Sequence, residues 1–420
     1  MHRNPVRRAL KTAAAVAGTC LVLTMVPTTP AAAAGTQPAF PNDFHAWTTY
    51  SDFLRGSGDH VLPAFSGDGA LTVFPGQTEG DWTSPWYSPK SGFNELVASW
   101  QIDTPPGTWA EIGMQARTST TDSEWYVMGD WAFDTSTITR HSVDGQKDSV
   151  GLISTDTFFT RSVPAGGNPK SYRLKVTLHG TRTARPVLRQ VAAVAAVTPD
   201  TTPTVTSQPI RDTAVELKVP SHSQELHHGE YPSYDGGGEA WCSPTSTSMV
   251  LSYWHTGPTS KDVASLPADP VFDANKRVDG MVDWAAIHTF DSVYDGAGNW
   301  PFNTAYASSY GLDGSVRIFT SLREAEPWLR RGVPIVVSLH WNNASADPRD
   351  HLDGSSITST DGHLITLVGL TASGDAIVND PASPTDAAVR HVYQRSQLEY
   401  RWLDSTSGVG YLIKPNSIRG

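Results

Sequence analysis

The chain has 420 residues and a formal net charge of −11, and a surface that acidic argues against nucleic acid as a partner. Fourteen tryptophans are too many for a disordered chain, and the length accommodates two domains.

In chain order, the first predicted element is a targeting segment. Arg3, Arg7, Arg8 and Lys11 form a basic start, Ala13 to Val26 an apolar run, and the alanines ending at Ala34 an A-x-A cleavage site. Residues 1–34 therefore read as a secretory signal peptide, with an apolar run too short to span a membrane. The Arg7-Arg8 pair keeps the twin-arginine route open beside the general one. No other run is apolar enough to cross a bilayer, so a secreted, extracellular monomer is expected. Cleavage removes Cys20, one of 2 cysteines, and leaves Cys242 without an intramolecular partner. Such a thiol pairs between molecules or is kept to react.

Residues 35–191 read as a β-sandwich. In "TWAEIGMQAR" and "SYRLKVTL" apolar and polar residues alternate with period two, and "FNELVASWQI" and "EWYVMGDWAF" behave similarly. Several such strands without long helices indicate a sandwich. Trp82, Trp86, Trp125 and Trp131 belong mainly to its core; Trp86, between Pro85 and Tyr87, is the best exposed candidate for stacking on a cell-wall glycan. Residues 192–212, rich in Pro and Thr, read as an extended linker. From 213 to 420 the pattern is α+β, with helices near 243–254, 281–290, 301–310 and 321–331 and strands at "VPIVVSLHW", "HLITLVGL" and "AIVND".

Pro244 suits a first helical turn and Ser243 is a plausible cap, so Cys242 falls at a helix N-terminus. There the dipole and free N–H groups favour a thiolate. The alternative is a small buried cysteine, against which the polar run "CSPTSTS" argues. Gly236 to Gly238 would let a substrate backbone approach, and Trp241 and Ser243 flank the thiol.

A thiolate nucleophile needs an imidazole partner. His363 has the best context, since it opens an apolar strand after the turn "STDG". The chain returns through Ser373-Gly374-Asp375 to Asp380, which can orient the ring, with Asn379 as the alternative. The midpoint of His363 and Asp380 misses the turn by about two residues, so the pairing requires a bulge or diverging strands. The Cys242 N–H and the Gln224 amide are candidate oxyanion donors. His340, ending "VPIVVSLH", could line the cleft.

The ordered set "VPSHSQ", "WCSPTSTSMVLSYW", "GHLITLVGL" and "AIVNDPAS" resembles the papain-like cysteine peptidases related to bacteriocin-leader-processing enzymes. The similarity is strongest to secreted actinobacterial relatives in which a β-sandwich precedes the peptidase-like domain. It covers 210–420 well and the front half more loosely. The resemblance implies Cys242 as nucleophile, His363 as general base, Asp380 as its orienter and Gln224 as oxyanion donor. This chain has Ser243 where the family commonly has glycine, so a narrower cleft is expected. It also lacks the transporter domains of leader-processing enzymes, so a bacteriocin precursor is not the default substrate.

No cofactor or metal is expected. His222, His227 and His228 with Glu225 and Glu230 match no zinc pattern and read as a solvated loop. Asp269, Asp273, Asp279 and Asp283 lack calcium-loop spacing and read as turns and helix starts. The expectation is a secreted cysteine hydrolase acting on a peptide or peptidoglycan-like amide bond through an acyl-enzyme. A glycan-binding protein with a non-catalytic second domain, and an acyl or peptidyl transferase, are the alternatives.

Overall fold

The computed structural model describes residues 39–64, 69–160, 166–269 and 278–419. The targeting segment, Cys20 and Asp273 lie outside the described residues. Among the described residues no helix is long and apolar enough to cross a membrane.

The period-two segments form the strands Glu95–Asp103, Trp109–Arg117, Tyr126–Trp131 and Ser171–His179. They belong to two antiparallel sheets, of seven and five strands. Trp100 from the larger sheet and Trp82, Trp131 and Tyr172 from the smaller are all 2% exposed or less and share one core. On the outer face of the smaller sheet, Arg117 and Arg173 lie 3.8 and 4.7 Å over the ring of Trp86. Arg173 and Lys175 likewise cover Trp125. Both indoles are half-buried and already carry cations over their rings, so Trp86 is not the fully exposed platform expected for a sugar.

The strand Val187–Ala196 corrects the expected domain boundary. It runs through the segment read as the start of a linker and pairs with Asn42–Trp47, Leu71–Val73 and Glu95–Asp103. Its buried "VAAVAA" stretch is apolar on both faces, which erases the period-two signal. The chain that follows is strapped down by buried carboxylates. Glu399 accepts from the Ser207 N–H at 2.6 Å and Glu326 from the Ile210 N–H at 2.7 Å. These charge-assisted bonds occupy backbone donors that water would otherwise take.

The second half is built on a seven-stranded antiparallel sheet, in the order 312–318, 409–415, 335–342, 359–370, 376–379, 390–393, with 215–216 against 359–370. Helices Cys242–Tyr253, Gly280–Thr289 and Trp300–Ser308 and the face carrying Leu364 share one core with the sandwich. Leu322–Arg330 and Arg395–Thr406 cover the face carrying Ile365 and Leu367. The pleat of the central strand thus divides the helices into two layers.

The two halves are fused. Phe302 meets Trp131 at 5.8 Å and Trp100 at 6.0 Å between ring centroids. Gly129 makes room, since a Cβ there would lie 2.9 Å from the Phe302 ring. Buried Arg140 donates to Ala132 O on the sandwich and Ile287 O on the second half. Asp156, also buried, accepts from the Trp300 N–H at 2.8 Å.

Candidate active site

The Cys242 helix is packed on all sides: residues 242 to 251 are buried. The polar run "CSPTSTS" is therefore not a sign of exposure. Ser243 Oγ meets Tyr411 Oη at 2.8 Å, Ser246 Oγ donates to Leu364 O at 3.0 Å, and Ser248 Oγ donates to Met281 O at 3.3 Å. Short hydroxyl side chains let the helix pack closely while these three serines keep their polar atoms satisfied. Ser243 points into this packing, fully buried, and does not narrow a cleft. The helix cap is Trp241, not Ser243, and it makes no side-chain capping bond, so Cys242 opens the first turn.

Cys242 keeps 9% exposure and lies close enough to His363 to help raise the pKa of its imidazole. His363 lies on the strand Ser359–Leu370, opposite Leu339. Its Nε2 meets Asp380 Oδ1 at 2.7 Å, leaving Nδ1 as the ring nitrogen for the thiol. The required bulge is present. Pairing of Thr366 with Asn379 and Leu367 with Val378 slips by one residue before Gly369 meets Ile377. Val368 is the extra residue. With that slip, Asp380 lies diagonal to His363 on the same face, within side-chain reach.

Asp380 is fully buried and accepts twice more, from the Ala382 N–H at 3.1 Å and from Tyr393 Oη at 2.7 Å. Burial alone would raise its pKa, but His363 and these donors hold it below the ordinary carboxylate value. Burial also pushes the imidazole down, yet the charge and hydrogen bond of Asp380, joined by Cys242, outweigh this and raise His363 to about 10. The pair is an imidazolium against a carboxylate. Trp341 packs edge-on against His363 at 5.3 Å between centroids and shields it. Asn379 is turned away and donates to Pro220 O at 3.0 Å, so Asp380 is the residue that faces the ring.

Gln224 lies in the short turn Gln224–His227, 3% exposed. Its backbone N–H donates to Pro381 O at 2.9 Å, which ties it to the residue after Asp380. Its side-chain Nε2 donates to Glu239 O at 2.6 Å. The preceding Ser223 N–H donates to Asp386 Oδ1 at 2.7 Å. The Gln224 turn thus joins the segment that leads into Cys242 to the one that follows Asp380.

Three expected substrate contacts take other roles. Trp241 is fully buried, with Nε1 donating to Tyr234 O at 2.8 Å among Tyr231, Val282 and Ala297. Gly238 faces the protein, since a Cβ would meet His227 O at 2.4 Å and Gln224 O at 2.6 Å. Its missing side chain lets two turns touch rather than admitting substrate. His340 pairs instead with Asp404 at 3.4 Å, on the helix Arg395–Thr406. A depression of about 800 Å³ lined by Phe40, Pro203, Arg349, Tyr400 and Asp404 lies on that side and contains none of the four catalytic candidates. Tyr393, Ala382 and Trp341 complete the site; no spacing in the sequence marks them, because they reach it through sheet pairing.

This fold and site define a class, and comparison with known proteins agrees. Residues 43–196 match the family described as Peptidase C39 N-terminal domain, and residues 216–409 match the Peptidase_C39 like family. The two matches together span most of the chain and indicate a peptidase-type protein of the C39-like kind. No curated protein matches the chain. Among solved structures, a Bacillus anthracis protein described as C39-like is 14% identical, with 48% of this chain and 98% of that chain covered and a TM-score of 0.29. The CBM22-1–GH10 modules of a Clostridium thermocellum xylanase are 10% identical, with 36% and 28% covered and a TM-score of 0.23. A family two carbohydrate esterase from Cellvibrio japonicus is 12% identical, with 40% and 38% covered and a TM-score of 0.20.

Proposed function

We propose that this chain is a secreted cysteine hydrolase that cleaves a peptide or amide bond. The observation that carries the reading is the buried 2.7 Å His363–Asp380 pair, with Cys242 beside the same imidazole and helping to hold its proton. The signal-like residues 1–34 support export.

The ion pair holds His363 protonated, and an imidazolium beside a thiol at a helix start favours the thiolate. In this reading Cys242 Sγ attacks the substrate carbonyl carbon, and the developing oxyanion faces the Cys242 N–H. The amide of Gln224 is the second donor, through the Nε2 proton not engaged by Glu239 O. His363 gives its proton to the leaving amine as the C–N bond breaks, producing an acyl-enzyme. A water then loses its proton to His363, attacks the thioester carbonyl and releases the acid. Asp380 keeps the ring oriented throughout, itself fixed by Tyr393 and Ala382.

Iodoacetamide alkylation of Cys242 against pH tests this directly, because the mature chain has one thiol. Reaction that stays fast well below the ordinary thiol pKa of about 8.5, and is slowed in His363→Ala, is expected. An inert thiol, or one indifferent to His363, overturns the proposal.

A further inference from the structure

The histidines on either side of Gln224 do not form a solvated loop: His222 is 8% exposed and His227 fully buried. Asp279 and Asp283, at the start of the helix Gly280–Thr289, meet them one each. The two meetings differ in kind. His227 Nδ1 lies 2.9 Å from Glu230 Oε2 and 3.0 Å from Asp283 Oδ1, a hydrogen-bonded arrangement in which one protonated imidazole offsets its carboxylate neighbours. Burial lowers its pKa but those carboxylates raise it to about 9.

His222 is arranged otherwise. Its Nδ1 is 3.1 Å from Asp279 Oδ2, yet both atoms are buried and neither has a hydrogen-bond partner. Its Nε2 lies 3.4 Å from Ser252 Oγ, which donates to Met281 Sδ, so Nε2 is engaged on that side and Nδ1 faces the carboxylates as an available ligand atom. Asp386, already fixed through Oδ1 by the Ser223 N–H, completes a group whose ligand atoms all lie within 4.8 Å of one another. One imidazole nitrogen and two carboxylates from three separate segments thus converge on one point. Around a tetrahedral ion with bonds of about 2.1 Å, ligand atoms sit about 3.4 Å apart, and the His222–Asp279 spacing of 3.1 Å is near that value.

We propose that His222 Nδ1, Asp279 and Asp386 form a binding site for one divalent cation of the zinc class. An imidazole ligand with two carboxylates disfavours calcium and magnesium, which take all-oxygen shells. Asp279 and Asp386 are half-exposed, which gives the ion an entry path and leaves a position for water. A bound ion fixes His222, two residues before Gln224, to the helix Gly280–Thr289 and to the loop after Asp380.

Zinc chloride titrated into metal-free Cys242→Ser protein, followed by calorimetry and by thermal melting, tests the site without the competing thiolate. One equivalent bound with a raised Tm is expected. Asp279→Asn and Asp386→Asn should each weaken affinity roughly tenfold or more. Both variants keep the side-chain shape, and the Asp386→Asn amide retains an oxygen for the Ser223 N–H, so the fold is preserved. His340→Ala, at a half-buried histidine paired with Asp404 away from this cluster, should bind as the parent does. Absence of zinc binding by the Cys242→Ser protein overturns the proposal, as does binding that both asparagine variants leave unchanged.

Discussion

His363 Nε2 and Asp380 Oδ1 lie 2.7 Å apart although their strands pair two residues out of direct register at that point. The bulge at Val368 and the diagonal reach of the two side chains together create the contact. Asp380→Asn keeps the shape but replaces the carboxylate with a neutral amide. Peptidase activity should fall by roughly 10²-fold or more, the usual worth of a positioned acid–base group. The check is kcat/KM for Asp380→Asn beside the rate of Cys242 alkylation, which should fall with it.

The same pair predicts a pH dependence of stability. His363 is raised from 6.5 to about 10, so the folded state holds the proton more tightly than the unfolded chain. That stabilisation is complete below pH 6.5 and is lost as pH rises toward 10. Urea midpoints should therefore fall across this window, and fall less in His363→Gln. His227, raised to about 9 with the same sign, leaves a residual slope in the variant. Equal slopes in the two proteins would contradict the imidazolium assignment.

Much of this arrangement is legible in the sequence, and the exceptions have identifiable physical causes. Cys242, His363 and Asp380 stand out through local context and Gln224 through the family resemblance; the structure pairs His363 with Asp380 and bonds Gln224 to Pro381 and Glu239. The strand Val187–Ala196 is hidden because burial on both faces leaves no alternation to read. The strap after it looks like a linker because its partners, Glu326 and Glu399, lie more than 100 residues away. Ser243 and Trp241 mislead for a related reason. Adjacency to the cysteine says nothing about direction, and on the helix start both side chains turn into the protein.

Tyr393→Phe removes one donor to Asp380 while leaving the ring in place. A hydrogen bond to the charged form lowers a carboxyl pKa, so its loss lets Asp380 protonate more readily. The acid limb of the pH–rate profile should move to higher pH, and stability should drop by about 1–3 kcal/mol from the unsatisfied oxygen. A pH profile superimposable on the parent's would show that Tyr393 acts only in packing.

Phe302 bridges Trp100 and Trp131 of the sandwich from a helix of the second half. Truncation to alanine opens a cavity in this shared core and should cost about 3–5 kcal/mol. Because the core is continuous, calorimetry should show one transition in the parent and one shifted to lower temperature in Phe302→Ala. Two independent transitions in the parent would mean that the halves unfold separately.

Gly238→Ala separates a packing role from a substrate-facing one. The added methyl would stand 2.4 Å from His227 O and 2.6 Å from Gln224 O, both backbone atoms that cannot swing aside. The turn carrying Gln224 must then move, and the Gln224–Glu239 bond with it. His363 and Asp380 are carried by the sheet and not by that turn, so their pairing, which sets the reactivity of the thiol, should be affected less than the Gln224 amide. Alkylation of Cys242 should proceed at near the parent rate while kcat falls by on the order of 10²-fold, the usual cost of one oxyanion donor. If KM rose with kcat unchanged, Gly238 would instead be a substrate contact, and Gln224 would not be the donor.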